Sequence, residues 1–264
     1  MKKFFLFFFI SIFMFTARSN QRDLITQEMK NFGIKQKSID LYWKTKEFTV
    51  PDKEYEKTLN KAIEADPRNY FALDDMGVHY RRSNNPDKAI EYYKKSIAVN
   101  PNNPFPYFNA GVAYMYKKDF VNAERIYKQL ITAIPDYPEG YYGLGQVYLN
   151  MENYAKALEF IQKAKEKYKN LDTKKYFEEA AKKDMYIADC NYLEGQINYR
   201  MKDYQKAVDD FFDSFEDMKA IRYYALSDFA TLAYFANEGL KGTNPKQYDK
   251  NLKKFEAAGI KMKR

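Results

Sequence analysis

The chain has 264 residues, with 44 Lys and Arg against 36 Asp and Glu, a net charge of +8, one histidine and one cysteine. One cysteine excludes an internal disulfide and one histidine excludes a His-paired metal site. Acids and bases interleave, as at Asp87-Lys88 and Glu91 near Lys94-Lys95, which marks solvated helix faces rather than the dense basic stripe of a nucleic-acid binder.

Residues 1–19 read as a leader. Lys2 and Lys3 precede an apolar run from Phe4 to Phe15, and Thr16-Ala17-Arg18-Ser19-Asn20 then turns small and polar. A positive start, a short apolar stretch and a small-residue exit describe a secretory signal peptide, with cleavage expected after Ser19. The run is shorter than the roughly 20 residues of a membrane span; retention as an N-terminal anchor is the alternative. No cysteine follows it to carry a lipid. Removing this segment takes Lys2, Lys3 and Arg18 away and leaves 41 basic against 36 acidic residues.

Residues 20–69 are predicted to form an irregular helical cap. Tyr55, Leu59 and Ala62 run at helical spacing up to Pro67, and Ile39 and Trp43 fit a partner helix. A strict period then begins. Pro67, Pro101 and Pro135 are 34 residues apart, as are Gly77, Gly111 and Gly145, Tyr80, Tyr114 and Tyr148, and Ala89, Ala123 and Ala157. Such a period means a solenoid of repeated helical hairpins. Gly and Ala sit where two helices cross closely, Tyr and Leu fill the gaps between hairpins, and Pro opens the next turn. Asn84-Asn85-Pro86-Asp87, Lys118-Asp119-Phe120 and Glu152-Asn153-Tyr154 are the expected turns inside the hairpins.

The markers resemble the tetratricopeptide (TPR) pattern of Leu-Gly, Tyr, Ala-x3-aromatic and a late Pro. Residues 70–103 give Leu73, Met76, Gly77, Tyr80, Ala89, Tyr93 and Pro101. Residues 104–137 give Tyr107, Ala110, Gly111, Tyr114, Ala123, Tyr127 and Pro135. Residues 138–171 give Tyr141, Leu144, Gly145, Tyr148, Ala157 and Ile161, with Lys169 where the closing Pro would stand. The resemblance implies an all-α fold, a right-handed superhelical solenoid of helix-turn-helix repeats, following a cleaved signal peptide. Residues 70–171 are its three clear repeats. A weaker fourth copy, within 172–221, carries Gly195, Met201-Lys202-Asp203-Tyr204 and Ala207, each 50 residues after its counterpart. The 16 extra residues belong to a charged, helix-favouring stretch over 165–187 that should lengthen the flanking helices across a break near Asn170–Thr173. Glu194 and Asn198 replace the Leu and Tyr expected there. Residues 222–264 read as a closing helical cap, with an apolar helix over 219–239, a break at Gly239, Gly242 and Pro245, and an amphipathic helix over 245–260. One continuous solenoid is expected.

Signals for chemistry are sparse. His79 lies alone between Val78 and Tyr80 on a helix and reads as structural, and Cys190 reads as a small buried hydrophobe. There is no P-loop and no Gly-rich dinucleotide turn. The adjacent carboxylates Glu178-Glu179 and Asp209-Asp210 do not face one another on a helix. No catalysis and no cofactor are expected. The basic tail (Lys246, Lys250, Lys253, Lys254, Lys261, Lys263, Arg264) reads as a soluble cap, with contact to an anionic membrane surface as the alternative.

The resemblance places a partner-binding surface on the first helix of each hairpin. Carried over by position, it comprises Phe71, Asp74, Asp75, Val78 and Arg81; Phe105, Phe108, Asn109, Val112 and Tyr116; Glu139, Tyr142, Gln146 and Asn150; and Asp189, Tyr192, Gln196 and Tyr199. Aromatic side chains with polar tips offer large contact area at low entropic cost, and the amides suit a peptide backbone. The family's carboxylate clamp does not fit, because Asp74, Val78, Glu139 and Gly143 stand where it needs Lys, Asn or Arg. The expected role is a scaffold of the cell envelope, in the periplasm, gripping a protein or peptide segment without touching nucleic acid. A structural subunit docking through its convex face or basic C-terminal helix is the alternative.

Overall fold

Helix starts along the chain are fixed by short polar side chains. Asn69, Asn85, Asp119, Asn153 and Asp203 each accept a hydrogen bond from the backbone N–H three residues on, and Asn244 does the same for Gln247. Such caps satisfy donors that a helix end leaves unpaired. Pro86, Pro104, Pro138 and Pro245 occupy the first turns that follow, where a missing N–H costs nothing.

The computed structural model describes residues 21–172 and 180–260, and every regular element among them is a helix. Residues 1–19, Glu178-Glu179 and the last basic residues lie outside the described segments. The helices are α1 (21–31), α2 (Gln36–Thr45), α3 (Lys53–Ala65), α4 (Tyr70–Arg82), α5 (Pro86–Val99), α6 (Pro104–Tyr116), α7 (Phe120–Ala133), α8 (Pro138–Asn150), α9 (Tyr154–Lys169), α10 (Ala180–Arg200), α11 (Tyr204–Ala220), α12 (Leu226–Leu240) and α13 (Pro245–Ala257). The chain divides into two compact units at Lys117–Lys118. No described helix is long and apolar enough to cross a membrane.

In the first unit α2 packs on α3, α4 on α5, and α6 on both α4 and α5. Its core gathers Met29, Ile39, Tyr42, Tyr55, Leu59, Tyr70 and Met76. Gly77 is required by sterics: a Cβ there would lie inside the ring of Tyr93. Asp66 joins the first turns, accepting from Lys35 N at 2.9 Å and Arg68 N at 3.0 Å. Burial opposes its charge, but these donors and the Arg68 guanidinium prevail and hold the carboxyl down to about 2. The lone histidine has the structural place expected of it: His79 is buried, stacks on Tyr55 and lies 3.4 Å from Glu56.

In the second unit successive helices from α7 to α13 pack pairwise, and α10 also meets α12. The hairpin turns repeat one device. Glu152, Lys202 and Arg222 adopt positive φ of 58°, 63° and 53°, like Asn84 in the first unit at 57°. The next N–H then reaches back to a helical carbonyl, Asn153 N to Tyr148 O at 2.8 Å and Asp203 N to Asn198 O at 2.9 Å, the closure of a left-handed C-terminal cap.

On either side of residues 173–179 the helices are long: α9 has 16 residues and α10 has 21, against 14 in α7 and 13 in α8. Glu194 and Asn198, out of place for the pattern, are both satisfied. Lys165 Nζ lies 2.6 Å from Glu194, and Asn198 Nδ2 donates to Asp210 at 2.6 Å. One expectation at the C-terminal end is corrected. The apolar helix begins at Leu226, because Ile221–Ala225 form a turn around the left-handed Arg222. It ends at Leu240, one residue past Gly239, and the chain turns before Pro245; a Cβ on Gly239 would strike the ring of Tyr204. A buried amide network locks α13 in place: Asn251 Nδ2 donates to Asn237 Oδ1 at 2.9 Å and Gln205 Oε1 at 3.0 Å, and Gln247 donates to Asn251 Oδ1 at 2.9 Å. Beneath it Phe211, Phe229 and Phe255 form an aromatic core.

Candidate functional site

On α6, Phe105, Phe108, Asn109 and Val112 are half-buried and fall at i, i+3, i+4 and i+7, which is one face of a helix. Tyr116 ends that helix, 69% exposed, with its hydroxyl donating to Asn84 Oδ1 at 2.9 Å. Phe71 is half-buried, but its ring stacks on Tyr70 at 4.4 Å and packs against the α2–α4 core.

Asp74 departs from the expected surface. It is buried, and Asn103 Nδ2 donates to its Oδ2 at 2.6 Å. Loss of hydration pushes its carboxyl up to about 8, and Asn103 offsets only part of that. Asp74 is therefore a protonated core group at neutral pH, not a partner-facing charge. The pattern missed this because Phe108 and Tyr142, which hold the equivalent places 34 and 68 residues on, are both half-buried.

The second unit brings together Tyr142 and Gln146 on α8 with Tyr192, Gln196 and Tyr199 on α10, all half-buried. Tyr142 meets Tyr168 edge-on at 6.4 Å, Tyr192 tilts onto Phe229 at 5.3 Å, and Tyr199 lies 5.8 Å from Tyr204. These rings thus serve the core and the surface at once. Asp189 is the polar centre. Its Oδ1 accepts from Tyr223 at 2.8 Å and from Tyr224 at 2.7 Å. Burial first, then Asp189, raises the pKa of Tyr142, and the same two causes act on Tyr223 and Tyr224. All three phenols stay protonated, and Tyr223 and Tyr224 serve as hydrogen-bond donors. Tyr223 and Tyr224 were not legible as site residues: they sit in the turn before α12, outside any repeat register. Tyr224 is 72% exposed.

Nothing in this arrangement resembles a nucleophile with its base. Cys190, beside Asp189, is buried, and burial pushes its thiol up, away from the reactive thiolate. Among the described residues no group of three or more His, Cys, Asp or Glu side chains could hold a metal ion. A polar cavity of about 400 Å³ lies between α9, α10 and α11, where Lys165 pairs with Glu194 and Lys206 with Asp210 at 2.8 Å, beside Lys169, Asp213 and Asp217.

Two family models, each described as tetratricopeptide repeat, match the chain over residues 75–103 and 114–176. No curated protein matches it by sequence. Among solved structures it is similar to MamA (41-end) from Desulfovibrio magneticus RS-1, with TM-score 0.53 and 18% identity over 71% of this chain and 98% of that one. It is also similar to Cut9 in the APC/C hetero-tetramer Cut9-Hcn1, with TM-score 0.55 and 17% identity over 90% of this chain and 46% of that one. TTC0263, a thermophilic TPR protein of Thermus thermophilus, aligns with TM-score 0.50 and 16% identity over 67% of this chain and 88% of that one. At such identities the likeness is one of fold.

Proposed function

Because this chain belongs to the tetratricopeptide-repeat family, we propose that it is a non-catalytic scaffold that holds a segment of another protein against the aromatic faces of its first helices. The observations that carry this reading are, in the second unit, the half-buried tyrosines and amides on α8 and α10 and, in the first unit taken by itself, the half-buried Phe105, Phe108 and Asn109 on α6. Residues that are rigid, aromatic and polar-tipped give up little freedom when a partner covers them. The lysine-led apolar leader of residues 1–19 supports work outside the cytoplasm, in the periplasm of a bacterial envelope. A second reading is supported by α13, which buries Asn251 and Phe255 while exposing Lys246, Lys250, Lys253 and Lys254: a subunit that docks through this basic helix.

A crosslinked pull-down from the envelope fraction tests both readings. The chain is compared with a Phe108→Ala/Tyr142→Ala variant of equal helicity. A partner captured by the first and lost by the second supports the aromatic faces. A partner kept by both, but lost when α13 lysines are replaced by glutamine, supports docking through the basic helix. Finding no partner with either would sink the scaffold reading.

A further inference from the structure

The chemistry of the Asp189 cluster goes one step beyond a general scaffold, and rests on that reading. Both phenolic donors converge on one oxygen, Oδ1. The other, Oδ2, has no hydrogen bond to a described residue and is not sealed from solvent. No ion pair is formed by Asp189 among the described residues, whereas Glu194 and Asp210 in the same unit each have a lysine. Among the described residues the cluster is therefore a carboxylate without a cationic partner, set among tyrosine rings: Tyr142, Tyr192, Tyr223 and Tyr224 all lie within electrostatic reach of it or of one another.

That arrangement discriminates among occupants. An acidic partner would be repelled. An apolar one would bury Oδ2 without compensation, which costs several kcal/mol for a charge. A guanidinium or ammonium group would pair with Oδ2 and lie over the electron-rich tyrosine faces, and arginine does both at once. Gln146 and Gln196 stand one helical turn beyond Tyr142 and Tyr192, where side-chain amides reach a peptide backbone. We infer that the Asp189 cluster receives an arginine or lysine side chain from the bound partner segment.

Selection of displayed random dodecapeptides on the full chain tests this, with two libraries run in parallel, one containing Arg and Lys and one without them. The expected result is enrichment from the basic library of peptides sharing an Arg or Lys. Their affinity should fall about tenfold or more on Asp189→Asn, the 1.4 kcal/mol of one good ion pair. Asparagine keeps an acceptor for both tyrosines, and equal melting temperatures confirm the fold. Tyr224→Ala, on the exposed ring, should also weaken the same peptides. Peptides enriched equally from the Arg/Lys-free library, or basic peptides indifferent to both substitutions, would overturn the assignment and leave the scaffold reading standing. No enrichment from either library would overturn both.

Discussion

Asp74 and Asp66 bend the pH profile of the first unit in opposite senses. Asp74 has its folded value raised to about 8, so its contribution is fully present below the unfolded value of about 4 and is lost as pH rises through 8. Asp66 is held down to about 2, so its contribution is present above about 4 and is lost as pH falls through 2. We expect Asp74→Asn, which mimics the protonated acid, to leave stability nearly unchanged at pH 4 and raise it by about 5 kcal/mol at pH 8. Urea melts at the two pH values check this, and an equal effect at both would refute it. Gly195 gives a prediction of steric origin. A Cβ there would collide with Phe229, so Gly195→Ala should cost about 2 kcal/mol. The sequence made Gly195 legible as a crossing point because its 50-residue offset from Gly145 kept the marker. It gave no sign that Asp74 is buried, since burial of an acid depends on Asn103, a residue 29 positions away whose own place in the pattern is a cap.

At the scale of elements, turns and caps were the most legible features, because they rest on local backbone chemistry. Asn85, Asp119, Asn153 and Asp203 follow directly from the repeat. The residue before each cap must be left-handed, and the chain uses no glycine there. Glu152→Gly should therefore raise stability by about 1 kcal/mol, read as a higher melting temperature. A decrease would mean that the side chain has a packing role at the turn. The end of the array was less legible. The turn at Ile221–Ala225 interrupts a stretch that reads as one apolar helix, while α12 ends at Leu240, one residue past Gly239. There the missing side chain also makes room for the ring of Tyr204, a contact set by packing at long range. The amide network on α13 is equally non-local, joining Asn251 to Gln205 across 46 residues. Asn251→Ala removes the donor to Asn237 Oδ1 and Gln205 Oε1 and should cost about 2 kcal/mol. Hydrogen exchange should accelerate within Pro245–Ala257 while α8 and α9 keep their protection.

For the whole molecule, the period of 34 made the fold class plain, since every repeat restates the same packing problem. The site was legible only in part. Repeat positions pointed to Tyr142, Tyr192 and their neighbours, but not to the two turn tyrosines that hold Asp189. Removing residues 245–264 tests the cap. It uncovers Phe211, Phe212 and Tyr234, which Phe255 now covers, and should bring binding of a hydrophobic dye and lower solubility. An unchanged dye signal would mean that α13 is an appendage rather than a lid on the core. The extra length of α10 has a different consequence. Counted from the shared glycine, the described part of α10 reaches eight residues further back than α8, about 12 Å of added height at 1.5 Å per residue. Growth at a helix end changes height and leaves angular phase alone, so Tyr192 and Gln196 keep the bearing of Tyr142 and Gln146. A chain built this way can deepen one storey of its wall by inserting residues between hairpins, without rewriting the face that the neighbouring storeys present.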